Sequence, residues 1–230
     1  MVISFKSYIK DSNDLNELKA IPTDKDIEDS KRPLKWLVGI KEDSSFLPVP
    51  PKNSSDQVEV ELELLEKINN RLNEEDLNII KKYDTEFLTP FYEILDEYDL
   101  EYNKEKLEEL RRDVETVTLK EKIRFNRPRP SQLGPKFGIL ITDKYYNESK
   151  TSKTPSYPSG HSSQSMFIAL CLSEQYPNLK GLFMETANDI SNSRILSSLH
   201  YPIDSLAGQT LAHVLYNNHY KKHYNQRTPR

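Results

Sequence analysis

The stretch SYPSGHSSQSMFIALCL, Ser156 to Leu172, decides how the fold is read. Its first half is small and polar, its second half almost wholly apolar, and Ser159 stands near the join. A serine before an apolar run is a good N-cap, and Ser162 to Leu172 has the composition of a short buried helix. A helix start leaves backbone N–H groups without partners and carries a partial positive charge. Gly160 has no side chain, so an anion can approach those groups closely. His161 would stand in the first turn, within reach of that anion. Taken alone, Pro158 to His161 reads equally well as a turn followed by a surface histidine.

Outward from this stretch the pattern stays helical. On the C-terminal side the sequence predicts helices at about 160–174, 180–197 and 202–218. On the N-terminal side, DKYYNESKTSKTPSY is a polar loop, and FGILIT is a short apolar run that suits a strand or a packed loop. NRPRPSQLGP ends a helix, since proline removes a donor and restricts the residue before it. That helix is NKEKLEELRRDVETVTLKEKIRF, with Leu107, Leu110, Val114, Val117 and Ile123 as its buried stripe and its charges as a solvated face. From Gln57 to Tyr98, apolar residues recur at helical spacing without a glycine, and Pro90 starts a new turn or helix. Residues 1–55 read as an irregular, extended arm, with FLPVPPKNSSDQ rich in proline, serine and asparagine. No internal repeat is present. The predicted architecture is an all-α bundle: an N-terminal arm over 1–55 and one α-helical domain over 56–230.

Composition narrows the function. Of 230 residues, 36% are hydrophobic and 30% charged, which suits one core with long polar surface segments. The net charge of −4 is no footprint for nucleic-acid binding, which wants a basic excess. The single cysteine, Cys171, cannot form an intrachain disulfide and reads as a buried small hydrophobe. No apolar run approaches the ~20 residues of a membrane-spanning helix. The N-terminus lacks a continuous apolar signal region. The expectation is a soluble protein, cytoplasmic or otherwise, for which the sequons at Asn53 and Asn147 have no role. A homo-oligomer is compatible with the sequence.

Three short patterns line up in order: Lys122 with Arg129-Pro130, then Pro158-Ser159-Gly160-His161, then Ser193-Arg194, five residues, His200, three residues, Asp204. A four-residue pattern arises by accident in a chain this long with a probability on the order of one in a thousand, so all three in order is a specific signal. Lys120 with Arg127 satisfies the first spacing as well. Phosphoryl groups carry charge on several oxygens; Lys122, Arg129 and Arg194 would supply fixed cations, and the N–H groups near Ser159 and Gly160 would complete the cradle. Preorganised charge of this kind is what phosphoryl transfer mainly requires. Pro202 suits a first helical position, so Asp204 in the first turn could reach back to one ring nitrogen of His200.

Together these residues resemble the type 2 phosphatidic acid phosphatase and vanadium haloperoxidase superfamily, over roughly residues 120–215. HYPIDSLAGQTLA is similar to a segment of its soluble, non-specific acid phosphatase branch, and KIRFNRPRP favours Lys122 and Arg129 over the alternative pair, with Arg127 still a candidate for the pocket lining. The resemblance implies that His200 is the nucleophile and forms a phosphohistidine, that His161 protonates the leaving oxygen, and that Asp204 orients His200. It implies a metal-independent acid phosphatase acting on a small phosphorylated substrate, without a cofactor, although vanadate could occupy the phosphate site. The spacing of His213, His219 and His223 does not put all three on one helical face, so they are not read as metal ligands. The alternatives are a vanadium-dependent haloperoxidase, which halide oxidation with added vanadate would reveal, and a non-catalytic phosphate- or phospholipid-binding module. The intact histidines and Asp204 argue against the latter.

Overall fold

The computed structural model describes residues 12–41, 44–141 and 153–222. Every regular element among them is helical: α1 (Ser12–Glu17), α2 (Asp24–Asp29), α3 (Asp56–Arg71), α4 (Glu74–Thr85), α5 (Thr89–Glu97), α6 (Lys104–Phe125), α7 (Pro130–Leu133), α8 (Gly160–Gln175), α9 (Lys180–Leu196) and α10 (Pro202–Leu215). The fold is all-α, as the sequence predicts. None of these helices is long and apolar enough to cross a membrane.

α8 is the central element. It packs most extensively on α9 and α10, and then on α6. Phe167 and Ile168 of α8, Phe183 and Ile190 of α9, and Leu211 and Leu215 of α10 are all fully buried. Each such side chain contributes about 1.5–3 kcal/mol by leaving water. α8 and α10 approach most closely at Gly208, where an added Cβ would lie 2.5 Å from the Ser159 carbonyl oxygen and 2.9 Å from Ser162 Cβ. That crossing fixes the start of α8 against the start of α10.

α6 ends where the prolines begin. Asn126 adopts a left-handed conformation (φ 48°) and returns its N–H to the Lys122 carbonyl, which closes the helix after Phe125. Leu107, Leu110, Val114 and Val117 are buried as expected, whereas Ile123 is only partly so. The run from Val58 to Tyr98 divides into α3, α4 and α5. Asn73 caps α4 by accepting the N–H of Asp76, whose carboxylate accepts the N–H of Asn73 in return.

Several expectations are corrected. The arm is not irregular throughout. It holds α1 and α2, the latter closed by a capping box between Thr23 and Asp26. The Asp113 carboxylate of α6 accepts the backbone N–H groups of Lys35, Trp36 and Leu37 at 2.6–3.1 Å, which straps the arm to the bundle. Of the two alternatives for FGILIT, the described residues 137–141 follow the packed-loop one. A 3-10 turn, Gly134–Phe137, leads into an irregular segment. α10 ends as an α-helix at Leu215 and continues as a π-helical turn, Tyr216–Tyr220. Cys171 is only partly buried. Most of the polar loop, including Asn147, and His223 lie outside the described residues.

Candidate active site

The end of α6 carries Lys122, the chain beyond it carries Arg129, the start of α8 carries Gly160 and His161, and the turn before α10 carries His200. All five line one cavity of about 620 Å³. Asp84 and Phe87 close one side of it, and Asp26 and Asp29 of α2 bring the arm to its mouth.

His200 is held at both ring nitrogens. Its Nδ1 lies 3.4 Å from Asp204 Oδ2, and its Nε2 lies 2.9 Å from Arg129 Nη1. A guanidinium can only donate, so Nε2 is the accepting nitrogen and Nδ1 carries the proton. Arg129 is itself fixed by donating to the carbonyls of Thr154 and Leu199, at 2.8 and 2.7 Å. Burial, and then the Arg129 charge, hold His200 well below the ordinary imidazole range; the Asp204 hydrogen bond opposes them.

Asp204 is fully buried beneath His200. Its carboxylate also accepts from the Ser156 hydroxyl, from the Tyr201 N–H at 3.1 Å, and from Arg127 at 2.5 Å. Burial alone would raise this carboxyl. Arg127 and His200 overcome that and hold it well below the usual carboxylate range. Arg127 is thus not a wall of the cavity. It lies under Asp204, 3.9 Å over the Tyr201 ring, with Glu61 of α3 at 3.6 Å on its other side. It is buried.

His161 forms the opposite wall. Its Nε2 donates to the Asp84 carbonyl at 3.1 Å, and its ring tilts against Phe87 at 4.8 Å. Burial, then the charges of Arg194, Lys122 and Arg129, keep it well below the ordinary imidazole range. Lys122 donates to the Pro155 carbonyl and is likewise lowered, by burial first and Arg129 second, with Asp204 and Asp26 opposing.

Three sequence-predicted residues stand behind the lining. Arg194 is fully buried and forms an ion pair with the Asp84 carboxylate at 2.7 Å. Asp204 orients His200 from below. Ser159 caps α8; its hydroxyl accepts from the Ser162 N–H and its own N–H donates to the Asp204 carbonyl at 2.9 Å. Ser159 therefore locks α8 to α10 rather than offering a donor to the cavity. Asp84, Glu61 and Ser156 were missed by sequence reasoning. Asp84 and Glu61 are single acids in charged helices, with no spacing to mark them. His213 is exposed, and His219 packs edge-on to Phe46. Among the described residues, no group of three or more His, Cys, Asp or Glu side chains gathers to hold a metal ion.

A comparison with curated proteins finds no match for the chain. Residues 114–227 match the family model described as the PAP2 superfamily, a span that contains Lys122, Arg129, His161, Arg194, His200 and Asp204 but not Asp84 or Glu61. The chain belongs to the PAP2 superfamily, whose members are generally phosphatases.

Proposed function

We propose that the protein is a metal-independent phosphomonoesterase of the acid phosphatase-like kind, working through a phosphohistidine on His200. The observation that carries this reading is the clamp on His200: Asp204 fixes the proton on Nδ1, so the lone pair of Nε2 faces the cation-lined cavity. That lone pair accepts from Arg129 Nη1 at 2.9 Å. A phosphoryl oxygen is the better acceptor, so substrate draws the guanidinium away and frees Nε2 to attack. The new bond is Nε2–P and the broken bond is P–O of the ester.

The leaving oxygen needs a proton. His161, once protonated, keeps Nε2–H on the Asp84 carbonyl and has Nδ1–H to give. Water then attacks the phosphohistidine, His161 takes its proton, and phosphate leaves. Lys122 and Arg129 hold the charge that gathers on the phosphoryl oxygens.

Alkaline quench during turnover of a labelled phosphomonoester tests the assignment, since the P–N bond of a phosphohistidine survives base and not acid. Label should be trapped on wild type and never on His200→Ala with intact circular dichroism. Trapping on His200→Ala refutes the nucleophile. Bromide oxidation in vanadate, without phosphate release from any ester, would transfer the site to haloperoxidase chemistry.

A further inference from the structure

We infer that the leaving group this site accepts is neutral and hydroxyl-bearing, a polyol or sugar rather than an acyl lipid or an anionic group, and that Asp26 and Gln164 read it. The inference rests on the phosphomonoesterase reading and concerns the part of the substrate beyond the phosphoryl group.

Gln164 lies one helical turn beyond Gly160 and lines the same cavity, nine-tenths buried. Arg111 Nη1 donates to its Oε1 at 3.0 Å. Since a guanidinium cannot accept, this bond fixes which way the amide faces. Its Nε2 points to the Gly160 side, 3.4 Å from where a Cβ on Gly160 would stand. An oriented neutral donor therefore sits beside the phosphoryl seat.

Asp26 faces the cavity from α2 and is also nine-tenths buried. One carboxylate oxygen accepts the Thr23 N–H at 2.8 Å. The other mouth carboxylates are neutralised: Asp29 by Lys25 and Arg32, and Glu115 by Arg32 and Arg111. Asp26 forms no ion pair among the described residues. Lys153 is exposed at the mouth, where water screens it.

Each leaving-group chemistry meets a different response. A second phosphate or a carboxylate is repelled by the buried charge of Asp26. An ammonium has no lone pair to accept from the Gln164 amide and would leave that donor unpaired. An acyl chain finds charged and amide groups that it would leave unpaired. A hydroxyl can donate to Asp26 and accept from Gln164, so it satisfies both.

The test compares kcat/KM for glycerol 3-phosphate and 3-phosphoglycerate, which share a scaffold but differ by hydroxymethyl against carboxylate. p-Nitrophenyl phosphate serves as reference. Wild type should favour glycerol 3-phosphate by about tenfold or more. Asp26→Asn keeps an acceptor for the Thr23 N–H and removes the charge. It should narrow that ratio at least about fivefold, chiefly by improving 3-phosphoglycerate, an opposite-sign response that a structural role cannot produce. Gln164→Glu keeps the partner of Arg111 and removes the donor, and should lower glycerol 3-phosphate relative to the reference. Equal rates in wild type, a preference for phosphatidic acid vesicles, or parallel loss on both substrates in Asp26→Asn overturns the inference alone. Folded protein that hydrolyses no phosphomonoester, p-nitrophenyl phosphate included, overturns the phosphatase reading and this inference with it.

Discussion

Arg127→Met separates the support beneath the site from the site itself. Arg127 is buried between two buried carboxylates, Asp204 at 2.5 Å and Glu61 at 3.6 Å. Methionine keeps much of the bulk and removes the charge from both. Breaking a buried pair by removing one partner costs about 3–5 kcal/mol, because the charge left behind stays out of water. For a chain of this length that is a fall in Tm of roughly 6–20 °C. The chemistry should change in a particular direction as well. Without Arg127, burial pushes the Asp204 carboxyl upward, and a protonated Asp204 no longer holds Nδ1–H of His200. The acid limb of kcat/KM should therefore move to higher pH. Arg129→Met, which removes a cavity cation, should instead lower kcat/KM by about 10²-fold or more across the pH range. Adding Glu61→Gln to Arg127→Met should recover part of the lost stability, since burial already favours a neutral Glu61. Thermal melts and pH–rate profiles of the variants are the assay. A loss under about 1 kcal/mol in Arg127→Met, or an acid limb that stays in place, refutes the buttress.

Gly208→Ala should destabilise by about 1–3 kcal/mol and lower activity further than the folded fraction explains, because the new methyl meets the Ser159 carbonyl at 2.5 Å; Gly181→Ala, with nothing within 4 Å, is the control. Vanadate should inhibit competitively and hydrolysis should survive EDTA; activity lost to the chelator and restored by a divalent metal would count against the mechanism. His161→Ala should harm alkyl phosphates more than p-nitrophenyl phosphate, whose leaving group is stable as an anion, and equal losses would remove His161 as the acid. His161 and His200 are held below the imidazole value of 6.5 by burial first, so their contribution to stability is full above about pH 6.5 and is lost as pH falls toward their folded values. Sulfate, a dianion throughout, should restore it, with a Tm gain larger at pH 5.5 than at pH 7.5; a gain independent of pH would contradict this.

What was legible in the sequence is what local chemistry fixes. Ser159 before an apolar run and Pro202 before Ile203 mark helix starts within a few residues, so the places of His161 and Asp204 in their first turns could be read from the chain. The spacing from Arg194 to His200 carried the last turn of α9 and the link to α10. The lysine and arginine pairs were not decided by spacing, because Lys120 with Arg127 and Lys122 with Arg129 fit equally well. The directions of those guanidinium groups are set by the left-handed turn at Asn126 and by the carbonyls of Thr154 and Leu199, which no local pattern announces. Asp84, Glu61 and Asp26 were invisible for a related reason. They are three among 36 acidic residues, and only tertiary packing distinguishes the buried from the solvated. The arm looked irregular because six-residue helices give too few turns for a periodicity to show.

These carboxylates change how the charge of the site is counted. The family match contributes four buried cations, Lys122, Arg127, Arg129 and Arg194, and one buried carboxylate partner, Asp204. Glu61 and Asp84, from helices before the match, approach Arg127 and Arg194. Lys122 and Arg129 are the two of the four that line the cavity, and on the proposed reading they face a phosphoryl group that carries two negative charges. Of these, Lys122 is restrained, and the two histidines with it: burial first, then the neighbouring cations, push Lys122, His161 and His200 toward their neutral forms. A bound dianion reverses the sign of the local field, so it draws protons onto Lys122 and His161 as it enters. On the proposed reading His200 is the exception, because its Nε2 must stay unprotonated to attack. On the proposed mechanism, the proton that His161 gives to the leaving group is therefore taken up with the substrate, while Asp84 and Glu61, from the first hundred residues, pair the two deeper arginines.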